Sequence, residues 1–277
     1  MSDRPPSELF AVFTEPFSAF RRHASLTREL TKRDILGRYR GASFGLLWAI
    51  LSPFLMLLIY AVAFGSIFMS RWPQQVEGGP SYALILFAGL IVHGFFSECL
   101  SRSPALIVGN ASYVKRVVFP LEILPWPMVL SGFFHAIVNM LVLLGLQLIQ
   151  TGPPPWTFVF FPLVLLPLAL LCAAVGWLFA SLAVYLRDIA QITAVLSAAM
   201  LFLSSALVPV EGISPDYQFL FRLNPLTFII DQMRAVALWG QMPDWTGLGI
   251  YALVSLMICF LCYGWFRATR SGFADVL

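Results

Sequence analysis

The chain has 277 residues, of which 59% are hydrophobic and only 11% charged, and its formal net charge is +3. Soluble domains carry about 25% charged residues, and the deficit here extends along the chain, as in the charge-free stretch from Ile123 to Leu186. This composition excludes a water-soluble domain that is held to the membrane by one anchor. It indicates an all-α polytopic membrane protein, which we treat as one transmembrane domain over residues 1–277.

The first predicted element covers residues 14–40, before any apolar run. Thr14-Glu15-Pro16 can start a helix, because proline is tolerated in a first turn. Phe17 and Phe20 then fall on one side, and arginines occupy the rest of the surface. This pattern is typical of a basic amphipathic helix that lies along the membrane surface. The alternative is a solvated tail whose charge only sets the topology.

Uncharged runs of helical length follow in chain order. A bilayer needs about 20 apolar residues per spanning helix. We therefore predict six spans, which cover residues 43–70, 81–101, 123–150, 156–186, 189–208 and 245–266.

Residues 209–240 predict two short helices between spans five and six. Ser214-Pro215 and Asn224-Pro225 each place a capping residue before a proline. Neither helix is long enough to cross a bilayer, so both are expected to dip into the outer interface, where Asp231 and Arg234 can pair on one helix face. The pair could line or cover a cavity as an external gate, or form an interfacial lid that does not move.

The cations fix the expected orientation. With both termini inside, the cytoplasmic face holds eight Lys and Arg before Ser43, three in residues 102–122, and Arg187, Arg267 and Arg270. The outer face holds only Arg71, Arg222 and Arg234. This asymmetry follows the positive-inside rule and predicts cytoplasmic N and C termini.

The chemistry that the chain lacks is also informative. The spans hold almost no ionisable groups for ion coupling, and there is no GxxxxGK[ST] phosphate loop, so a partner would have to supply energy for transport. An intramembrane enzyme is the rival class, because Ser131, His135 and Asn139 share a helix face. No GxSxG-like turn accompanies Ser131, and polar side chains within helices more often bond backbone or a neighbouring helix, so no catalytic residue is predicted. The few histidines and the single CxxC inside a span predict no metal site.

Two positive features remain. Aromatic side chains in spans one and four could form the walls of a channel along which a glycan slides, or they could simply face lipid; the candidates are Phe44, Trp48, Tyr60, Phe64, Phe68, Trp177 and Tyr185. Arg38, Tyr39 and Arg40 form a basic inner mouth before span one. Arginine suits phosphate oxygens, so this mouth could meet lipid head groups in general or a lipid-linked diphosphate.

Several segments, in order along nearly the whole chain, resemble the ABC-2 type permeases that export polysaccharides. They are Leu30–Ile35, Arg38–Gly41, Ser43, Gly45, Leu47-Trp48 and Pro53; then Asn110–Pro125; then Arg187-Asp188; and finally Pro209, Ser214-Pro215 and Leu223–Pro225. The O-antigen lipopolysaccharide permeases are the most similar subgroup. Exporters of capsule, teichoic acid or another lipid or drug cargo are the alternative.

The resemblance implies a half-transporter in the bacterial inner membrane. Two copies would pair as a homodimer above two cytoplasmic ATPase subunits, which would bind ATP and Mg²⁺, so this chain would need no cofactor and contact no nucleic acid. Residues 110–119 would couple the permease to the ATPase, and the candidate contacts are Asn110, Tyr113, Lys115, Arg116, Arg28, Lys32 and Arg33. The substrate would be a glycan on undecaprenyl diphosphate, and Ser214, Pro215, Asn224, Pro225, Asp231 and Arg234 would belong to the external gate.

Overall fold

A computed structural model describes residues 16–63, 72, 79–114 and 119–277, with the side chains of 113 and 114 excluded. Within these ranges the protein is helical and has no β-strand, which confirms the predicted class. The helices are α1 (Ala24–Arg38), α2 (Trp48–Tyr60), α3 (Tyr82–Arg102), α4 (Ala105–Val108), α5 (Ala111–Val114), α6 (Pro125–Gln150), α7 (Phe161–Tyr185), α8 (Ile189–Phe202), α9 (Pro215–Leu223), α10 (Pro225–Ala237), α11 (Trp245–Thr269) and α12 (Phe273–Val276). Phe64, Phe68, Lys115 and Arg116 lie outside the described residues.

Five helical stretches among the described residues are long and apolar enough to cross a bilayer. They are Gly45–Ala63, Tyr82–Arg102, Leu121–Gln150, Trp156–Tyr185 and Trp245–Val276. Each contains 19 or more residues, and at 1.5 Å per residue each reaches roughly the 30 Å thickness of a hydrocarbon core. The protein is therefore a multi-pass membrane protein.

The fifth predicted span, residues 189–208, is shorter than expected. Its helix α8 ends at Phe202 after 14 residues, a length of about 21 Å. The backbone leaves the helix after Phe202, and the hydroxyl of Ser204 donates to the carbonyl of Leu201 (2.9 Å). The hydrophobic run continues to residue 208, and this is why its composition alone predicts a longer helix.

Helix α3 lies at the centre of the molecule and α2 at its edge. In the most apolar part of α3, 72% of the residues are buried, against 11% in the stretch that contains α2. Helix α3 packs against α6, α7, α8 and α10, while α7 and α11 share the most extensive interface. Gly132 allows α3 and α6 to approach closely, because a Cβ there would lie 3.1 Å from the Phe95 ring.

Polar contacts distinguish the two ends of the bundle. At the end that carries α1, Arg270 Nη1 lies 2.8 Å from Glu122 Oε2, and Tyr185 donates to the carbonyl of Thr269 (2.9 Å). We call this the basic end. At the opposite, distal end, Ser81 Oγ donates to Gln150 (2.8 Å).

The N-terminal segment lies against α6 at the basic end. Residues 16–22 are helical, and the rings of Phe17 and Phe20 pack on Trp126 at 5.7 and 5.0 Å. Helix α1 then buries Thr27 and Leu30 against the same side of the bundle and leaves its basic residues exposed. The helix is therefore amphipathic and docked rather than solvated on all sides.

At the distal end, α9 and α10 form the pair of short helices that the two Xaa-Pro starts predict. They begin at Pro215 and Pro225. Asn224 Oδ1 accepts from the Leu226 N–H (2.9 Å), and its Nδ2 donates to the carbonyls of Met200 and Leu203 (2.9 and 3.0 Å). One side chain thus caps α10 and also satisfies carbonyls at the C-terminal end of α8. Ser214 makes no such side-chain cap.

This difference predicts unequal effects for two similar substitutions. We expect Asn224→Ala to destabilise the protein by roughly 1–3 kcal/mol, since it removes a cap and leaves the part-buried carbonyls of Met200 and Leu203 without this donor. We expect Ser214→Ala to change stability by less than about 0.5 kcal/mol. Thermal unfolding of both variants in detergent would test this, and equal losses would contradict the assigned role of Asn224.

Candidate functional site

A cluster of charged side chains joins three elements at the basic end. Arg38 ends α1, Glu98 lies in the last part of α3, and His135 lies in α6. Arg38 Nη1 donates to Glu98 Oε1 (2.8 Å) and lies 3.0 Å from His135 Nδ1, while Glu98 Oε2 lies 3.3 Å from the same ring nitrogen. The tautomer of His135 sets whether Nδ1 accepts from Arg38 or donates to Glu98.

Two further residues extend the cluster along the basic end. Arg102 lies one turn after Glu98 and donates to the same Oε1 atom (3.1 Å). Its Nη2 also lies 2.5 and 2.6 Å from the two oxygens of Asp34 on α1. Glu98 is therefore the shared acceptor for two arginines. We call Asp34, Arg38, Glu98, Arg102 and His135 the ionic cluster.

Two cavities meet at the ionic cluster. The first, about 780 Å³, lies towards the basic end between α1, α3 and α6, and Arg33, Asp34, Arg102 and Asn110 are among its lining residues. The second, about 380 Å³, lies deeper between α2, α3 and α6. Arg38 and Glu98 line both, so the ionic cluster stands between a polar entrance and a cavity inside the bundle.

The deeper cavity brings together four residues that the sequence singles out. Arg38 and Tyr39 lie at its basic end, and Trp48 and Tyr60 come from the first span. Phe87 and Phe95 of α3 complete the aromatic part of the wall. This arrangement offers a charged group that suits an anion and aromatic surfaces beyond it. We call it the aromatic cavity.

Other predicted channel rings lie elsewhere. Trp177 is completely buried between Trp126 and Tyr263 and donates its Nε1–H to the Glu122 carbonyl (3.0 Å), which leaves no surface for a passing substrate. Tyr185 is held by Thr269 at the basic end, away from the aromatic cavity. Phe44 is largely exposed and packs edge-on against Trp48 at 6.1 Å. Of the predicted channel rings with described positions, only Trp48 and Tyr60 line the aromatic cavity.

The predicted basic contacts also separate into groups. Arg33 and Asn110 line the first cavity, and Asn110 donates to the carbonyl of Leu106 (3.0 Å). Arg28 and Lys32 lie on the exposed side of α1 beside an apolar groove, and Arg40 is exposed. Tyr113 is part of the short helix α5.

The distal end carries a buried cation that the sequence places in the gate region. Arg234 of α10 has no exposed surface, and its guanidinium donates to three backbone carbonyls, those of Ile85 (3.0 Å), Ser205 (2.7 Å) and Ala206 (2.9 Å). The Trp72 ring covers it at 4.4 Å. The predicted ion pair with Asp231 is long, at 3.8 Å. Burial lowers the pKa of Arg234 to about 10, so it stays protonated and donating at neutral pH.

Gly89 makes this arrangement possible. A Cβ at that position would lie 2.7 Å from Arg234 Nη2 and 3.1 Å from Ala206. The guanidinium therefore lies directly against the α3 backbone, between α3 and the irregular segment after α8 (residues 203–209). Arg234 satisfies carbonyls that this segment cannot satisfy within a helix.

The site residues that sequence reasoning missed are Asp34, Glu98, Arg102 and His135. Glu98 and His135 had a usable signal, because each is an ionisable residue within a long apolar stretch, which is by default a candidate functional position. Asp34 and Arg102 had none, since their pairing depends on the packing of α1 across α3. The suggested Ser131–His135 contact is not made, and the Ser131 hydroxyl is buried without a partner among the described residues.

Nothing in the described part of the chain is arranged to hold a metal ion, since no group of three or more His, Cys, Asp or Glu side chains converges there. The described cysteines are all free thiols buried in the bundle. The side chains at the site can therefore bind anions and can pack against polar and aromatic surfaces.

Comparison with known proteins identifies the family. The ABC-2 type transporter family matches residues 25–238. The O-antigen export system permease protein RfbA of Myxococcus xanthus is 25% identical over 91% of this chain and 95% of its own length, and that of Klebsiella pneumoniae is 21% identical over 90% and 93%. The polysialic acid transport protein KpsM of Escherichia coli is 24% identical over 85% and 90%. The family match covers more than half of the chain and includes both α1 and the ionic cluster, so this protein belongs to the ABC-2 type transporter family.

Proposed function

We propose that this chain is the membrane-spanning permease of an ATP-driven transporter that exports lipid-linked polysaccharide from the cytoplasm across the bacterial inner membrane. The observation that carries the proposal is the aromatic cavity, which lies within the membrane bundle and has Arg38 at its basic end. A polysaccharide carried on undecaprenyl diphosphate has an anionic head and a long polar chain. Similarity to permeases named for O-antigen export, over nearly their whole length, supports this cargo over a drug or a simple lipid.

The proposed topology has six crossings with both termini in the cytoplasm. Helix α8 and the irregular segment after it make the fifth crossing, with Asn224 and Arg234 supplying the donors that its backbone needs. The basic end then faces the cytoplasm, which agrees with the distribution of lysine and arginine.

The active unit is proposed to be a homodimer with two ATPase subunits. The first span supports this, because most of its residues are exposed on a single chain and it forms one wall of the aromatic cavity. The chain has no phosphate-binding loop of its own, so ATP and Mg²⁺ would bind to the partner. Residues 110–119, together with Arg28, Lys32 and Arg33, are the proposed coupling surface, and α9 and α10 are the proposed external gate.

At the inner mouth, the diphosphate of the lipid carrier would compete with Glu98 for Arg38. The Glu98 carboxylate accepts a hydrogen bond from the Arg38 guanidinium at 2.8 Å. A diphosphate offers similar acceptor oxygens with more negative charge. Exchange of one acceptor for the other would remove one of the two ionic contacts between α1 and α3 and leave the pair of Asp34 and Arg102 in place. The glycan would then follow past Trp48 and Tyr60.

We expect Trp48→Ala to slow the export of long chains by several-fold and to leave assembly intact, because the ring lines the aromatic cavity. Trp265→Ala is the control, since that ring also lies in an apolar helix, α11, but is about half exposed and lines none of the cavities above. The measurement is the chain-length distribution of exported polymer. An unchanged distribution in Trp48→Ala would show that the ring faces lipid instead.

Reconstitution tests the function as a whole. The permease and its ATPase would be placed in proteoliposomes with the lipid-linked polymer of the source cell, and ATP-dependent transfer of polymer across the membrane would be measured. We expect transfer only when the ATPase is present, and replacement of Lys115 and Arg116 by glutamate should uncouple ATP hydrolysis from it. Transfer without any ATPase, or none with it, would contradict the proposal.

A further inference from the structure

The distal end carries a polar cavity that the export pathway above does not use. It has a volume of about 550 Å³, within the usual range of small-molecule sites. Its walls come from α10, from the turn after α10 and from the segment that precedes α9. The chemically distinctive residues are Trp72, Glu211, Asp231, Gln232, Trp239 and Gln241. We call this cavity the outer pocket.

Two indole rings form the apolar part of the outer pocket. Trp72 is nearly buried, with the guanidinium of Arg234 over its ring and Tyr82 beside it at 5.8 Å. Its position is therefore fixed by packing. Trp239 follows α10 and is only half-buried, so part of its surface remains free to contact a ligand. Indole rings combine a large apolar surface with a polar N–H.

Two adjacent polar side chains are held in place and still have hydrogen-bonding capacity. Ser205 donates to Asp231 Oδ1 (2.7 Å), which leaves the second carboxylate oxygen as an acceptor. The backbone N–H of Asp244 donates to Gln232 Oε1 (2.7 Å), which leaves the amide NH₂ of Gln232 as a donor. Fixed donors and acceptors of this kind orient a ligand. Glu211 and Gln241 add exposed polar groups at the rim.

This combination selects a neutral polyhydroxyl ligand. The carboxylates of Glu211 and Asp231 repel anions, and no group of three or more His, Cys, Asp or Glu side chains converges among the described residues to hold a metal ion. A sugar has hydroxyl groups that both donate and accept, and it has C–H faces that pack on aromatic rings. Asp231 offers an acceptor and Gln232 a donor to such hydroxyls.

We propose that the outer pocket binds a sugar residue of the exported polymer as it leaves the membrane. This inference rests on the proposed function, because it takes the distal end as the exit side. A site that holds the emerging chain weakly would bias its movement outward between ATP cycles. Binding would depend on Trp239 and Asp231 and would be independent of the lipid diphosphate.

The test uses the full permease–ATPase complex in lipid nanodiscs. The probe is the source cell's own glycan, released from its lipid by mild acid so that no diphosphate remains, and binding is measured by saturation-transfer NMR titration. We expect Trp239→Ala to weaken binding about tenfold, equivalent to roughly 1.4 kcal/mol. Trp245→Ala is the matched control, because this exposed ring lies at the same end but outside the outer pocket, against Phe160 at 5.4 Å, and should bind normally.

Two further variants distinguish the loss of a ligand contact from misfolding of the protein. Trp239→Phe keeps an aromatic ring and should lose less affinity than Trp239→Ala, and Gln241→Ala changes an exposed rim residue and should weaken binding modestly. Equal affinity in wild type, Trp239→Ala and Gln241→Ala would overturn the proposal, as would absence of binding by a wild-type complex that exports polymer. If the wild-type complex binds the glycan in this way but exports none, the proposed function fails instead.

Discussion

Replacing Arg234 with methionine should lower the stability of the folded protein by about 3 kcal/mol or more. Methionine fills a similar volume but donates no hydrogen bonds, so the carbonyls of Ile85, Ser205 and Ala206 would lose their shared donor in a region where water cannot replace it. The measurement is the unfolding midpoint in detergent. Protease cleavage after residue 202 should also increase, since the irregular segment would no longer be held.

Two other arginine variants make this prediction specific. Arg222→Met removes an exposed arginine of α9 whose one hydrogen bond among the described residues is to Gln218, at 3.4 Å, and should have little effect on stability. Arg234→Lys keeps the charge but replaces the planar guanidinium fork with a compact ammonium, so we expect an intermediate loss. If Arg222→Met and Arg234→Met lowered the midpoint equally, Arg234 would not have the structural role assigned to it.

Replacing Glu98 with glutamine should reduce ATP-dependent polymer transfer about tenfold. The substitution weakens hydrogen bonds to charged partners, and such bonds are worth roughly 1.5–3 kcal/mol. Glutamine keeps the shape of the side chain but removes the negative charge shared by Arg38 and Arg102. Asp34 would then be the only anion left in the ionic cluster, beside the two arginines and His135. We expect α1 to dock less firmly on α3.

Glu29→Gln provides the matched control. Glu29 belongs to the same basic end, lies on the exposed side of α1 and makes no hydrogen bond or ion pair among the described residues. Its replacement should leave both transport and the unfolding midpoint unchanged. Normal transport by Glu98→Gln would show that the ionic cluster only holds the structure and does not control entry to the aromatic cavity.

Local chemistry made several elements predictable. The charge-free runs gave the positions of the long apolar helices, and Asn224-Pro225 predicted a capped helix start that the structure confirms with a bond from Leu226 N–H. Ser214-Pro215 looks equivalent in sequence, yet its hydroxyl makes no cap. A capping residue before proline thus predicts where a helix begins better than it predicts which side chain stabilises that start.

What the sequence could not supply depends on packing between distant elements. Hydropathy continued the fifth span to residue 208, but Ser204 and the donors of Arg234 allow the backbone to leave the helix after Phe202. Trp177 and Trp48 are both rings in apolar helices, and only the tertiary structure separates the buried one from the one that lines a cavity. The role of Glu98 depends on its hydrogen bond from Arg38, which lies 60 positions earlier in the chain.

The short α8 has a consequence for the membrane itself. Its length of about 21 Å leaves roughly 9 Å of an average hydrocarbon core to the irregular segment that follows it. Val195 and Phe202 are exposed on α8, so lipid acyl chains or another subunit must cover this side of the bundle. Lipids beside a short hydrophobic segment adapt by thinning the bilayer at modest cost. A thinner bilayer on this side would shorten the apolar distance that a hydrated cargo has to travel.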